Sequence, residues 1–388
     1  MGPLSGLRIV ELAGRGPGPF AGMMLSDLGA EVIRVDRPGG DRRVQAPDPR
    51  LELVVRGRRS VLVDLKHPAA ADVVLRMADR ADALFEGFRP GVVERLGLGP
   101  EDCMARNPRL VYGRATGWGQ DGPLAPTAGH DINYIALAGA LEPIGRAGGP
   151  PVIPLNLVGD NAGGMLLAFG LVCALLEART SGRGQVVDAA MVDAASLLMT
   201  QFHGRRRNGT WRDARGTNYL DSGAPFYDVY EAADGKYVSI GAIEPKFHRQ
   251  LFRRIGLDPA GLTDPIAHAD WPVLRTRLSA LFRTRTRDEW TTLLTGTDSC
   301  FAPVLGLAEV AEHPHHVARA AFVDVAGVSQ PAPAPRFSRT PGAVAGPPPA
   351  PGEDSTEVLA DWGFSTAEIG RLIESGAVTR TSTTGLDH

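Results

Sequence analysis

The chain opens with short apolar runs that alternate with longer stretches of helical period. Leu7-Arg8-Ile9-Val10-Glu11-Leu12 reads as a strand, a Gly/Pro loop follows, and an apolar helix is expected over about 19–28. Glu31-Val32-Ile33-Arg34-Val35-Asp36 supplies the next strand, so the chain begins with a β-α-β unit, which requires parallel pairing. The alternation continues with strands over 60–65, 83–86 and 110–114, a helix over 69–78, and a long apolar helix over 163–178. A strand over 184–188 and a helix from Met191 to about His203 close this series. The predicted class is α/β with a parallel sheet.

The texture then changes. Residues 204–222 are rich in Arg and Gly without apolar period, which reads as a linker. Strands over 226–231 and 236–240 flank Asp234-Gly235, a strong hairpin signal. Helices over 246–255, 271–282 and 286–295 complete a small α+β domain, and the Pro/Ala-rich stretch 331–351 reads as an extended tether. Ser365-Thr366-Ala367-Glu368 fits a capping box that opens a last short helix. The expected organisation is a large domain over 1–203, a linker over 204–224, a small domain over 225–325, and a tether with a C-terminal segment over 326–388.

Composition narrows the class without changing it. At 388 residues, with 43% hydrophobic and 22% charged positions, the chain suits two globular domains. Its formal charge of −3 gives no reason to expect nucleic acid as a partner. Cys103, Cys173 and Cys300 lack metal-like spacing and read as buried free thiols of a reducing compartment. The N-terminus lacks a signal-peptide profile, the C-terminus lacks a peroxisomal address, and no apolar run approaches the length of a membrane span. A cytoplasmic enzyme is expected.

Candidate chemistry centres on Asp160, in Leu157-Val158-Gly159-Asp160-Asn161, where an extended run becomes the long apolar helix. A carboxylate there would lie beside helix-start N–H groups, although an Asp at such a place is also an ordinary N-cap. His130, in Gly129-His130-Asp131-Ile132-Asn133-Tyr134, offers a second proton-transfer group, or a hydrogen-bonded turn residue. Gly14-Arg15-Gly16-Pro17-Gly18-Pro19 imitates a dinucleotide fingerprint, but Pro19 occupies the third glycine position, so the loop is read as a turn that shapes the following helix. Two basic clusters, Arg56-Gly57-Arg58-Arg59 before Val63-Asp64-Leu65-Lys66 and Gly87-Phe88-Arg89 before Arg95, are either solvated faces or, with Arg37, phosphate ligands at the carboxyl ends of strands. Glu244 follows the hairpin and would otherwise be surface charge. His313, His315 and His316 lack ligand-like spacing and read as loop residues, so no metal site is expected. Met191 and Met199 are candidate liners of an apolar surface, or core.

These motifs, together with Asp27-Leu28-Gly29-Ala30-Glu31-Val32, Glu86-Gly87-Phe88-Arg89-Pro90-Gly91, Pro154-Leu155-Asn156-Leu157-Val158-Gly159-Asp160 and Gly241-Ala242-Ile243-Glu244-Pro245, resemble the family III CoA-transferases. Within that family the resemblance is to the α-methylacyl-CoA racemase group. It implies a Rossmann-like large domain, a small α+β domain, a C-terminal segment that returns to the large domain, and a homodimer of interlocked rings. It further implies that His130 and Asp160 exchange protons with the α-carbon of a 2-methylacyl-CoA thioester, and that Glu244 from a partner subunit steadies His130. By the same resemblance Arg37, Val63, Asp64, Leu65, Lys66, Gly87, Phe88, Arg89 and Arg95 align with the CoA site, and Gly129, Asp131, Tyr134, Gly159 and Asn161 are counted with the residues that bind CoA or substrate. No cofactor is expected beyond the coenzyme A of the substrate. The alternative within the family is CoA transfer with Asp160 as nucleophile; His130 resembles the racemase pattern, whereas Asn161-Ala162-Gly163 is closer to that of the transferases.

Overall fold

The computed structural model describes residues 2–39, 48–258 and 267–381. The chain divides into two compact units, the first formed by 1–138, 155–198 and 315–388 and the second by 139–154 and 199–314.

In the first unit the alternation of sequence folds as expected. Strands β1 (Arg8–Leu12), β2 (Glu31–Asp36), β3 (Arg59–Val63), β4 (Ala83–Glu86), β5 (Val111–Thr116) and β6 (Val186–Ala190) all pair in parallel. A short C-terminal strand, Val378–Thr379, adds antiparallel to β3, giving the order C-terminal strand-β3-β2-β1-β4-β5-β6. Helices α1 (Pro17–Asp27), α2 (Ala70–Ala78), α3 (Val92–Arg95), α4 (Pro100–Arg106), α5 (Asp131–Leu137), α6 (Ala162–Ser181) and α7 (Met191–Leu198) complete it, with two C-terminal helices at Ser355–Asp361 and Thr366–Glu374. The last carries the expected capping box, in which Ser365 N–H donates to Glu368 Oε2 at 2.7 Å.

Strand residues buried on both faces create two apolar layers. One gathers Val10, Ile33, Val61, Leu84 and Tyr112 with α2 and the C-terminal helices. The other gathers Ile9, Val32, Phe85 and Val111 with α1 and α6. Gly163 and Gly164 let α6 lie close: a Cβ on Gly164 would stand 2.6 Å from the Pro17 carbonyl oxygen. A π-turn at Leu157–Asn161 extends α6 backwards, and Leu157–Ser181 is long and apolar enough to cross a membrane, which the sequence reading missed. That helix nonetheless buries Leu167, Leu171 and Leu175 against the sheet. Its outer face exposes Met165, Phe169, Cys173 and Leu176, so of the three cysteines expected to be buried only Cys103 is. Cys173 lies outward because its helical position falls on the face away from the sheet.

The second unit has an antiparallel sheet of β7 (Tyr227–Glu231), β8 (Tyr237–Gly241) and β9 (Phe301–Pro303), in that order. Helix α8 (Thr200–Arg207) precedes it; α9 (Pro245–Ile255), α10 (Trp271–Phe282) and α11 (Arg287–Leu294) close its core around Phe226, Phe282 and Trp290. The hairpin falls on Asp234-Gly235, with Gly235 at φ 73°. Residues 139–154, expected in the large domain, belong here, and the single helix expected over 191–203 is two, α7 and α8, parted between the units. Of the expected linker, 204–207 continue α8 and the rest is an ordered loop: Asp221 accepts the N–H groups of Gly216 (3.0 Å), Asn218 (2.7 Å) and Gly223 (3.1 Å). A run without apolar period hides such order because one buried carboxylate, not a hydrophobic face, organises it. The stretch 331–351 is irregular beyond its first residue and belongs to the first unit.

Candidate active site

In the large sheet β1 is flanked by β2 on one side and β4 on the other, so the strand order reverses there and a crevice opens outside the strand ends. The loops that leave β1 and β4 meet in it; a Cβ on Gly14 would be 3.8 Å from the Gly87 Cα. Gly16 caps α1 with φ 68° and Pro17 follows at the first helical position, which is the turn expected in place of a dinucleotide loop. Above Gly16 sits Asp160: a Cβ on Gly16 would stand 3.3 Å from Asp160 Oδ1. A cleft of about 820 Å³ runs from here, lined by Gly14, Arg15, Gly16, Arg37, Asn156, Asp160 and Asn161 among others.

Asp160 does not occupy a plain helix N-cap. It lies in a single π-turn, Leu157–Asn161, entered through Leu155 in the left-handed region at φ 57°. The turn is held by Asp131, whose Oδ1 accepts N–H from Gly159 at 2.7 Å and from Asp160 at 2.8 Å. Gly159 is obligatory, since a Cβ there would fall 2.4 Å from that oxygen. The Asn161 N–H goes to the Asn156 carbonyl at 3.2 Å. The backbone donors expected to lie free beside the carboxylate are therefore engaged, two by Asp131 and one by the Asn156 carbonyl.

Asp131 is the first residue of α5, and His130 is its N-cap, with the His130 N–H donating to Asn133 Oδ1 at 3.0 Å. One buried carboxylate thus ties the turn that carries Asp160 to the helix start that carries His130. Burial raises the Asp160 pKa above the usual carboxylate value; the Asn156 Nδ2 hydrogen bond at 3.2 Å lowers it, Asp131 raises it, and the nearby His130 lowers it. Tyr134 lies beneath, edge-on to Trp118 with ring centroids 4.7 Å apart. It occupies the space that a side chain on Gly117 or Gly129 would need, Cβ atoms there falling 2.2 and 2.7 Å from its ring. Burial first, then Asp160, raise the Tyr134 pKa, while Arg89 lowers it, which places Arg89 within electrostatic reach.

The remaining expected residues are distributed along the same edge. Val63 is fully buried at the end of β3. Asp64 shapes the following turn by accepting the Lys66 N–H at 3.1 Å, and Leu65 packs on the core. Gly87, Arg89 and Arg95 are exposed, and Phe88 packs on the core beside them. Glu244 belongs to the second unit, exposed as the N-cap of α9, where after burial its charge adds to the raised pKa of Cys300. Met191 is core, packed over Gly163. Among the described residues no group of three or more His, Cys, Asp or Glu is placed to hold a metal.

The basic cluster 56–59 is committed to the fold and leaves the phosphate candidates. Arg56 binds Asp27 at 2.6 Å and Gln330 at 3.0 Å, Arg58 binds Glu11, and Arg59 binds Glu31 and, at 2.7 Å, Asp361. Gly14, Gly16 and Asn156 were missed; the carboxyl end of β1 was a signal for the glycines, and the spacing of four from Asp160 was one for Asn156.

One further carboxylate stands at this edge. Glu86, 1% exposed, accepts the Phe88 N–H at 2.6 Å and lies 3.3 Å from Arg114, while burial pushes its pKa up to about 7 from 4.5. Its stabilising contribution is complete below about 4.5 and is lost as pH rises through about 7, a change on the order of 3 kcal/mol. Thermal unfolding is expected to show wild-type stability falling more between about pH 5 and about pH 8 than that of Glu86→Gln. Parallel curves for the two proteins would remove Glu86 as the titrating group.

A parallel sheet with an acid and an imidazole brought together outside its strand ends is the setting of the comparisons with known proteins. The profile of CoA-transferase family III matches residues 4–355, and the chain belongs to that family. It is 44% identical over 380 residues to the α-methylacyl-CoA racemase of Mus musculus, covering 96% of this chain and 98% of that one. The human α-methylacyl-CoA racemase is 42% identical over 384 residues, with 97% and 98% covered. The crystal structure of a CaiB/BaiF family protein from Brucella suis superposes with a TM-score of 0.80 at 27% identity, covering 93% of this chain and 99% of that one.

Proposed function

We propose that the protein is an α-methylacyl-CoA racemase, which interconverts the (2R) and (2S) forms of 2-methylacyl-CoA thioesters by α-proton transfer through an enolate. The observation that carries this reading is the bond pattern of Asp131, which unites the Asp160 turn with the helix start at His130. A raised carboxyl pKa suits a group that must both take and return a proton at carbon. His130 and Asp160 act from opposite faces of the α-carbon, one removing a proton while the other delivers one. The amides around Asp160 are occupied, so the oxyanion draws its donors from the Asp131 and Ile132 N–H groups at the start of α5; the Asn133 N–H already donates to the His130 carbonyl at 2.8 Å. The thioester brings its own coenzyme A, and the proton exchange requires no other cofactor.

In this reading the large unit is Rossmann-like, and the strand order supports it. Two chains assemble as a homodimer in which the partner subunit's Glu244 steadies His130. The exposed side chains of Met165, Phe169, Leu176, Leu197 and Leu198 support a covered apolar face. CoA lies along the strand ends near Arg37, Arg89 and Arg95. Arg89→Ala is expected to weaken CoA binding about tenfold or more, read by calorimetry with free CoA; unchanged affinity would remove Arg89 from the phosphate site.

The test of the reaction is incubation of one stereoisomer of a 2-methylacyl-CoA in deuterated water. Deuterium at the α-carbon with mixed stereochemistry of product is the expected result. An inert α-carbon, with CoA passed instead to an added free carboxylate, would overturn the reading and make Asp160 the nucleophile of a transferase.

A further inference from the structure

We propose that Glu86 is a positioning residue: with Arg114 and Glu94 it fixes the loop 87–95, and through that loop the affinity for CoA. The inference rests on the CoA site read above. Its origin lies in strand geometry. Phe85 enters the core layer of α1 and α6, so by alternation Glu86 faces the layer of α2, α3 and α4. In the parallel register of β4 with β5, Glu86 stands directly opposite Arg114. Arg114 is itself nearly buried, and its guanidinium reaches Glu86 Oε1 at 3.3 Å and, from Nη2, Glu94 Oε1 at 2.8 Å. Glu94 belongs to α3, so one arginine of β5 holds both ends of the segment that contains Gly87, Phe88 and Arg89, and Arg95 follows its far end directly.

The start of the loop is pinned again from within, because Glu86 Oε2 accepts the Phe88 N–H at 2.6 Å. Gly87 is thereby held against Gly14. The benzyl ring of Phe88 turns into the core, and Arg89 and Arg95 are left outward at the strand ends. An apolar pair between β4 and β5 would join the strands equally well but would leave the Phe88 amide without an acceptor and α3 without its tie. Burial favours a proton on Glu86, and the Glu94 carboxylate that shares the Arg114 guanidinium adds to this. Protonated Glu86 no longer balances Arg114 and accepts the Phe88 N–H less strongly. The charged or titratable groups that face it are Arg114 and Tyr112 from β5 and Glu94 from α3; Asp188 from β6 acts on Arg114.

The experiment measures the dissociation constant of free CoA and the saturating turnover for wild type, Glu86→Gln and Glu94→Gln at about pH 6 and about pH 8. Glu86→Gln is expected to bind CoA about tenfold more weakly at the higher pH, with turnover at saturation within about twofold of wild type. Wild-type affinity is expected to fall toward the lower pH more than that of the variant; titration of the CoA phosphate is common to both and cancels. Glu94→Gln, altered at the exposed end of the cluster, is expected to weaken binding in the same direction without loss of fold. Wild-type affinity in both variants would overturn the proposal, as would an equal loss of turnover and affinity with a lowered melting temperature. A wild-type protein that binds no CoA would overturn the functional reading and this proposal with it.

Discussion

Replacement of Asp160 by Asn, or of His130 by Gln, is expected to reduce racemisation in both directions by about 10²–10⁴-fold or more while CoA still binds. Each inversion needs one group to remove the α-proton and the other to deliver one, so loss of either blocks both directions. Exchange with solvent behaves differently. With Asp160 gone, the stereoisomer whose α-proton faces His130 still exchanges it for deuterium and keeps its configuration. With His130 gone, the other stereoisomer does so. This crossed pattern, read by NMR and chiral chromatography in deuterated water, is specific to two separate proton-transfer groups. A variant that racemises within about tenfold of wild type would sink the assignment. Because burial raises the Asp160 pKa, the loss of rate in acid for the direction in which Asp160 is the base should begin above the usual carboxylate range.

Asp131→Ala is expected to be nearly as damaging, for a different reason. Asp131 touches the turn through backbone bonds only, yet its single oxygen Oδ1 accepts two N–H groups across the gap between α5 and the π-turn. Hydrogen bonds to a buried charged acceptor are each worth about 1.5–3 kcal/mol, so the loss of both removes about 3–6 kcal/mol. That is a large share of the about 5–15 kcal/mol that stabilises a typical fold. The turn around Asp160 also loses its anchor, and a displacement of about 1 Å at a reacting group costs about 10²-fold in rate. Asp131→Asn keeps a carbonyl acceptor and is expected to lose less of both. Denaturant unfolding and turnover separate the two effects. An Ala variant with wild-type stability and activity would show that the turn is held by its neighbours instead.

The pattern of apolar positions by itself determined the parallel α/β class, because strands buried on both faces and helices with one apolar stripe leave periodic marks. Asp234-Gly235 marked the hairpin equally well, since only a few residues adopt positive φ without strain. His130 and Asp160 were legible because titratable side chains stood out in otherwise neutral stretches. Tertiary structure alone decided the rest. Strand order set β1 beside β4 and so brought Gly14 to Gly87, while the packing of α6 on α1 set Asp160 over Gly16 from far away in the chain. The pairing of Arg56, Arg58 and Arg59 with Asp27, Glu11 and Glu31 turned an apparent phosphate cluster into internal ion pairs. Asp131 became the tie between two loops, and Glu86 the partner of Arg114, through contacts that have no period. Hydrophobic spacing records which face of an element is buried, whereas the partner of a buried charge is fixed only when distant segments meet.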